Sequence, residues 1–386
     1  KHSHYKIPAQ EAVDIINDSV SEYEGERPFL STGDLNLSTI TNLELHTFSE
    51  KPSRANQNVS SGDLILARMQ GTVKVKLINN EDENIIVSTG FLVLRPKINA
   101  DSKYLFHLLK SSNFQNDKDK LCTGATQKAI NNSNFEKLEI PLPNLATQQR
   151  IAAILDQADA IIQNNRAIVQ KYDALTQSLF LDMFGDPVKN EKGWEKEELK
   201  NFGKISTGNT PSRADLKNYD NHYIEWIKTD NIIENEFYIS KAQEYLSFEG
   251  AKKGRIVNEN SLLVTCIAGS LQSIGRAGIS NRKVAFNQQI NAIEPNNEVN
   301  ISFLYFLIKN SRKYIQDHAS SGMKRMLSKG EFEKIKMILP PIELQNQFAE
   351  RVAMIEAQKQ QAQLELAKSE ELFQSLLQRA FKGELS

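Results

Sequence analysis

Two stretches of the chain carry apolar residues at alternating steps of four and three. From Ile151 the steps fall on Ile151, Leu155, Ala158, Ile162, Asn165, Val169, Tyr172, Thr176, Leu179 and Met183. From Phe348 they fall on Phe348, Val352, Ile355, Lys359, Ala362, Leu366, Ser369, Phe373, Leu376 and Ala380, and eight of each ten are apolar. A mean spacing of about 3.5 held this long is a coiled-coil seam; it predicts two helices of about 36 residues, with polar Asn165 and Lys359 as register-setting positions. Either helix alone would leave its stripe in water, so the two are expected to pack together as an antiparallel pair. Upstream, short apolar runs punctuated by Gly, Asn and Ser predict strands at "DLILARM", "NIIVSTGFLVLRP", "YIEWIKT" and "SLLVTCIAG". A short helix is predicted at "YLFHLLKSS" in the first half and at "FLYFLIKNS" in the second.

The halves repeat each other. Residues 135–184 and 332–381 align without a gap at 15 identities in 50 positions, among them Phe135/Phe332, Pro143/Pro340, Gln148/Gln345 and Leu179/Leu376. An offset of 197 residues is far beyond a solenoid repeat, so a whole module is duplicated. The prolines Pro141 and Pro143, or Pro340 and Pro341, stand where they precede a helix without breaking it, while Gly185, Pro187 and Gly383 mark the ends. The pairs Asp34/Asp230, Val59/Val257, Pro96/Pro295 and Gly124/Gly322 mark equivalent points in the mixed α/β modules. Matching scaffolds with unmatched loops imply two copies of one fold that touch different things.

Charge sharpens the contrast between the copies. The chain has 47 Lys and Arg against 48 Asp and Glu, so it is not a general polyanion binder. Residues 252–336 nevertheless hold 14 basic and 6 acidic side chains, whereas residues 1–140 hold 16 and 18. Cys122 and Cys266 occupy unmatched positions and lie in no C-x-x-C pair, which argues for small core residues rather than a disulfide or zinc site. No apolar run is long enough to span a membrane.

Two variable modules, each closed by "IPLPNLATQQ" or "LPPIELQNQ" leading into a long helix, together with the "SLLQRAFKGELS" terminus, resemble the specificity subunit of type I restriction–modification systems. The second module adds "ISTGNTPS", "EWIKTDNI" and "VAFNQQINAIEP"; the first reads "VSTGF" in place of "FNQQI" and lacks the "TGNTPS" loop. The resemblance implies an α+β chain: target recognition domains at 1–143 and 187–341, separated by conserved helices at 144–186 and 342–386 that form the antiparallel coiled coil. It implies a non-catalytic, cytoplasmic subunit that binds double-stranded DNA at a bipartite target. Two methyltransferase subunits and restriction subunits are the implied partners, and S-adenosylmethionine, ATP and Mg are expected on those partners, with no cofactor or metal in this chain. Exposed helix faces that include Gln148, Arg166, Lys171, Gln345, Lys368 and Arg379 would receive the methyltransferases.

Arg, Lys, Asn, Gln, Ser and Thr read base edges, and such residues cluster in the loops of both modules. In the first they are Ser31, Thr32, Arg68, Gln70, Lys74, Thr126, Gln127 and Lys128. In the second they are Thr207, Asn209, Thr210, Ser212, Arg213, Lys228, Thr229, Gln272, Arg276, Lys324 and Arg325. Catalytic motifs are lacking: there is no G-x-x-x-x-G-K-[ST] loop and no N-P-P-[FY] tetrapeptide, and His46 and His107 stand apart from any ligand set. A self-contained DNA-modifying enzyme and a duplicated coiled-coil adaptor that never meets DNA stay open as alternatives.

Overall fold

The computed structural model describes residues 6–320 and 325–385. The chain forms two compact units, Lys1–Asn165 with Leu364–Ser386, and Arg166–Gln363. The two long helices, Leu145–Phe184 and Ile342–Lys382, run 40 and 41 residues, longer than the seam alone indicates because both begin before its first position. Each helix contributes one half to each unit.

The first unit has two four-stranded sheets. One is antiparallel, in the order Val13–Ile16, Phe91–Pro96, Leu64–Ala67 and Val75–Leu77. The other runs Glu44–His46, Arg27–Leu30, Ile86–Ser88 and Ala55–Gln57, with its two central strands parallel. A two-stranded ladder pairs Lys6–Pro8 with Glu139–Pro141, the strand that leads into the long helix. The second unit repeats this order: Gly203–Thr207, Ile290–Pro295, Leu262–Thr265 and Ala277–Ile279 in one sheet, and Tyr245–Leu246, Ile224–Ile227, Val284–Phe286 and Arg255–Val257 in the other. Its ladder joins Lys196–Glu198 to Lys336–Ile338.

The unbroken apolar run at Leu64–Ala67 follows from this layering. Leu64 and Leu66 face the helices in a core with Leu92, Leu94, Leu105 and Leu155, while Ile65 and Ala67 face the second sheet with Leu30, Val87 and Phe91. A strand covered on both faces needs no polar alternation. Leu262–Thr265 repeats the pattern, Leu262 and Val264 against the helices and Leu263 against the second sheet. Strand register aligns Leu30 with Ile227, so the counterpart of Asp34 is Asn231, one residue later than the Asp34/Asp230 landmark.

The helix pair is antiparallel: the start of one helix shares a core with the end of the other. Ile151, Leu155 and Ile162 pack in the first unit with Phe373, Leu377 and Ala380, and Phe180 and Phe184 pack in the second with Phe348 and Val352. Val169, Tyr172, Leu179, Ile355, Leu366 and Leu376 are half-buried. Phe180, Phe184 and Leu377 lie one residue beyond seam positions yet are at most 7% exposed, because the modules press on the helices from outside the seam. The ring of Phe184 lies 4.9 Å from Phe303, and at the equivalent place Phe381 lies 5.5 Å from Tyr104. The polar seam positions find partners: Asn165 Nδ2 donates to Ser369 Oγ at 2.9 Å, and buried Lys359 contacts Asp173 Oδ1 at 2.7 Å.

Gln148 and Gln345 do not belong to a docking face, contrary to the sequence expectation. Both are fully buried. Gln148 Oε1 accepts the amide of Asp101 at 2.8 Å, and its Nε2 donates to the carbonyls of Asn99 and Pro143 at 2.9 and 2.7 Å. Gln345 does the same with the Asn300 amide and the Glu298 and Pro340 carbonyls, at 2.9, 3.0 and 2.7 Å. Asp101 and Asn300 are the N-caps of the helices Ser102–Lys110 and Ile301–Asn310. One primary amide thus satisfies three backbone groups that would otherwise be buried unpaired, in both units. Gln148→Glu, which faces two carbonyls with a carboxylate, is expected to lower unfolding free energy by about 2–3 kcal/mol in urea titrations at neutral pH. Arg150→Ala on the exposed face should change it by less than about 0.5 kcal/mol.

His107 is another buried polar residue of the first unit. Its Nε2 lies 2.8 Å from Asp156 Oδ1 on the long helix, its Nδ1 has no hydrogen-bond partner among the described residues, and Phe106 and Phe373 pack on its ring. Burial pushes its pKa below the ordinary value, against the pull of Asp156. The folded chain therefore holds this imidazole neutral, while the unfolded chain protonates it as pH falls through about 6.5. Stability that is complete above that pH should decline as pH drops toward the lower folded value. His107→Phe, the residue at equivalent position 306, should flatten the decline in melting temperature between about pH 7 and 5, measured by circular dichroism.

Candidate nucleic-acid interface

In the first unit five of the eight sequence-chosen loop residues converge. Thr32, Arg68, Lys74, Gln127 and Lys128 line one cleft of about 440 Å3, with Arg54, Ala67, Met69, Thr89 and Gly90 among the others. Ser31, Gln70 and Thr126 lie outside it. Ser31 Oγ is bound to Asp34 at 2.5 Å within its own turn, and Gln70 Nε2 donates to the carbonyl of Asp119 at 3.3 Å.

The chain ends strands at this place and holds the connecting loops from beneath. Arg68 follows the strand Leu64–Ala67; its Nε donates to the Phe91 carbonyl at 3.2 Å and its Nη1 to Asn132 Oδ1 at 2.8 Å. Burial lowers the Arg68 pKa. Lys74 Nζ donates to the Thr32 carbonyl at 2.5 Å. Fully buried Lys118, which sequence reading passed over, donates to the carbonyls of Met69 and Thr72 at 3.2 and 3.1 Å. The loop bearing Thr126, Gln127 and Lys128 is closed by reciprocal Thr123–Ala129 backbone bonds of 3.0 Å. It turns at Gly124, with φ +136°, where a Cβ would stand 2.4 Å from the Gln127 carbonyl oxygen. Glycine is required there.

Four cations therefore line the cleft, and no carboxylate is among its lining residues. Arg68 and Lys74 are committed to carbonyls that shape the walls. Arg54 and Lys128 are exposed, and neither side chain has a hydrogen-bond or ion-pair partner among the described residues. Arg54 was not singled out from sequence. It sits in an ordinary loop, "PSRAN", and only the bond from the Thr89 amide to its carbonyl, 2.9 Å, ties it to the cleft.

The second unit uses equivalent positions differently. Arg213 lies over the rings of Trp226 and Tyr219, 5.0 and 5.2 Å from their centres, and meets Glu244 at 2.7 Å. Lys228 pairs with the same carboxylate, and the two cations, Lys228 foremost, hold Glu244 below the usual carboxylate range. Thr207 Oγ1 donates to Asn291 Oδ1 at 2.7 Å, Thr210 bonds Gln288, and Asn209 bridges the Lys253 carbonyl and the Arg255 amide at 2.7 and 2.6 Å. Asn209 is thus a loop brace, with one N–H and its carbonyl oxygen already engaged. Ser212 is exposed, and Thr229 opens the short turn Thr229–Asn231. The Gln272 carbonyl accepts from Arg312, and Arg276 pairs with Glu234 at 3.1 Å. Lys324 lies outside the described residues, and Arg325 is described only as the strand position opposite Ala268.

The basic excess of residues 252–336 is partly neutralised by acids outside that window. Arg276 and Arg312 share Glu234, Arg282 meets Glu225 at 2.6 Å, and Lys253 meets Asp215 at 3.1 Å. Lys283 and Lys336 carry no ion pair among the described residues, and unpaired positive charge also borders the cleft of the first unit. Among the described residues no helix is long and apolar enough to cross a membrane, and no group of His, Cys, Asp and Glu is arranged to hold a metal.

The fold is that of known type I specificity proteins. The chain aligns over 98% of its length, and 96% of the other, with the S subunit of a type I restriction–modification system from M. genitalium, at a TM-score of 0.58 and 17% identity. It aligns over 99%, and 98% of the other, with a chain from a structure concerned with complex assembly and conformational transition of the type I R-M system, at 0.62 and 17%. The family model for the Type I restriction modification DNA specificity domain matches residues 13–171 and 191–366, and the chain belongs to that family. It is 24% identical over 436 residues to the HindI specificity subunit of Haemophilus influenzae, covering 92% of this chain and 94% of that one. It is 23% identical over 367 residues to the EcoKI specificity subunit of Escherichia coli, covering 86% and 77%.

The division between wall-forming and unpaired cations is open to measurement. Arg68→Ala removes bonds to partly buried acceptors and is expected to reduce unfolding free energy by about 2–3 kcal/mol. Arg54→Ala and Lys128→Ala should each stay within about 0.5 kcal/mol of the parent in the same urea titration.

Proposed function

We propose that this chain is the non-catalytic DNA-recognition subunit of a type I restriction–modification complex, each unit reading one half of a bipartite double-stranded target. The observation that carries the reading is the pairing of one scaffold with two unlike loop sets: unpaired cations around a cleft in the first unit, and an aromatic-backed Arg213 sharing Glu244 with Lys228 in the second. Base edges demand such side-chain donors, while the strand order beneath them carries no sequence information. The relatives named as specificity subunits support the assignment.

Methyltransferase subunits, two by the repeat, and restriction subunits would dock on the long helices and bring S-adenosylmethionine, ATP and Mg with them, in a cytoplasmic complex. The docking surface is not the buried Gln148 and Gln345. Lys171, Lys368 and Arg379 are exposed, and so are the apolar residues Ile161, Ile168 and Leu175, at seven-residue intervals on the first helix, and Met354, Leu364 and Leu372 on the second. Water-facing apolar side chains on a helix support a protein partner.

Methylation mapping in cells that carry this chain with type I methyltransferase subunits should reveal one bipartite sequence. Replacing Thr210, Ser212 and Arg213 together by alanine should alter one half of it and leave the other half unchanged. Methylation without a bipartite signature, or equal loss in both halves, would defeat the proposal.

A further inference from the structure

We infer that Arg54 reads a guanine in the half-site of the first unit, with Lys128 holding the neighbouring backbone phosphate. The inference rests on the DNA-reading function proposed above and gives the cleft a particular ligand. Reading a base needs a planar donor fork on a fixed stem, uncommitted to any carboxylate, beside space for the base edge. Arg54 meets each condition. Its carbonyl accepts the Thr89 amide, and the next residue, Ala55, is fully buried with its amide bound to the Pro52 carbonyl at 2.8 Å. The side chain borders a cleft without acidic lining.

Gly90 supplies the space. Strand register places Gly90 where the second unit has Gln289, whose side chain is within reach of the Ile267 carbonyl at 3.4 Å. A Cβ at Gly90 would stand 2.8 Å from Thr32 Cγ2, so any larger residue would displace the Thr32 side chain that lines the same cleft. Guanine is the base that offers two adjacent major-groove acceptors, N7 and O6, matched to an arginine fork. Lys128 differs in kind. It is a single ammonium on an exposed loop, suited to a phosphate and not to a paired edge. Arg68 and Lys74, whose donors are bound to carbonyls, are positioning residues for the cleft.

The test uses the full chain in complex with its methyltransferase subunits and duplexes that carry the mapped target. Each guanine of one half-site is replaced in turn by 7-deazaguanine, which lacks N7. At one position the parent complex should lose about tenfold or more in affinity. Arg54→Ala should show a similar loss on the unmodified duplex and no further loss with 7-deazaguanine there. Arg54→Lys, which keeps the charge, should also lose the discrimination. Lys128→Ala should weaken all duplexes alike and lower the salt-dependence slope by about 1. Independent, multiplying losses from Arg54→Ala and 7-deazaguanine would overturn the inference, as would a uniform loss with a reduced salt slope. If the parent complex shows no preference for any bipartite site, the proposed function itself fails; if it does and Arg54→Ala is silent, only the guanine assignment falls.

Discussion

A single buried primary amide, present twice, connects helix, ladder and module. Gln148 and Gln345 sit one turn into the long helices and reach back to the N-cap of the short helix and to the carbonyl of a proline two residues past the preceding strand. The strands that precede the long helices pair with the first strand of each unit, so the amide fixes the angle at which the long helix leaves its module. A glutamine is one of few side chains with both an acceptor and two donors on a stem of that length. That requirement explains why it stands at the same offset in both copies while most of its neighbours have changed.

Around this shared joint the copies diverge in matched pairs. His107 faces Asp156 in the first unit, while the equivalent positions of the second hold Phe306 and Ala353, and Phe306 lies 5.5 Å from Phe348. Polar and apolar solutions to one packing problem each need both partners, since half of either would leave an unpaired group or a void. The loop ends follow the same logic: Arg68 occupies the position of buried Cys266, and Gly90 that of Gln289.

Periodicity made the helices legible, because a seam repeats, and the strands were legible where apolar runs were bounded by turns. Gln148 was misjudged because a polar residue at a helix start ordinarily faces water; nothing local announces three buried backbone partners. Phe180, Phe184 and Leu377 escaped the seam because the modules create a second contact face on each helix. At the loops, five of the eight residues chosen in the first unit share one cleft, but the state of each side chain was not legible. Asn209 and Arg276 find their partners at Arg255 and Glu234, more than 40 residues away in sequence, so neither bond could be read from local pattern. Arg54 belongs to no motif, and its place in the cleft follows only from the fold.

The sharing of each long helix between units also orders events in time. The first unit comprises the first 165 residues and the last 23, and Phe373, Leu377 and Ala380 belong to its core. During synthesis its sheets leave the ribosome before the second unit, yet the helix segment that finishes the core emerges after it. At typical elongation speeds of roughly 5–20 residues per second, the unfinished apolar surface waits on the order of 10–40 s. Of the two units, the one begun first is therefore the one completed later, and its apolar surface stays open to misassociation in that interval.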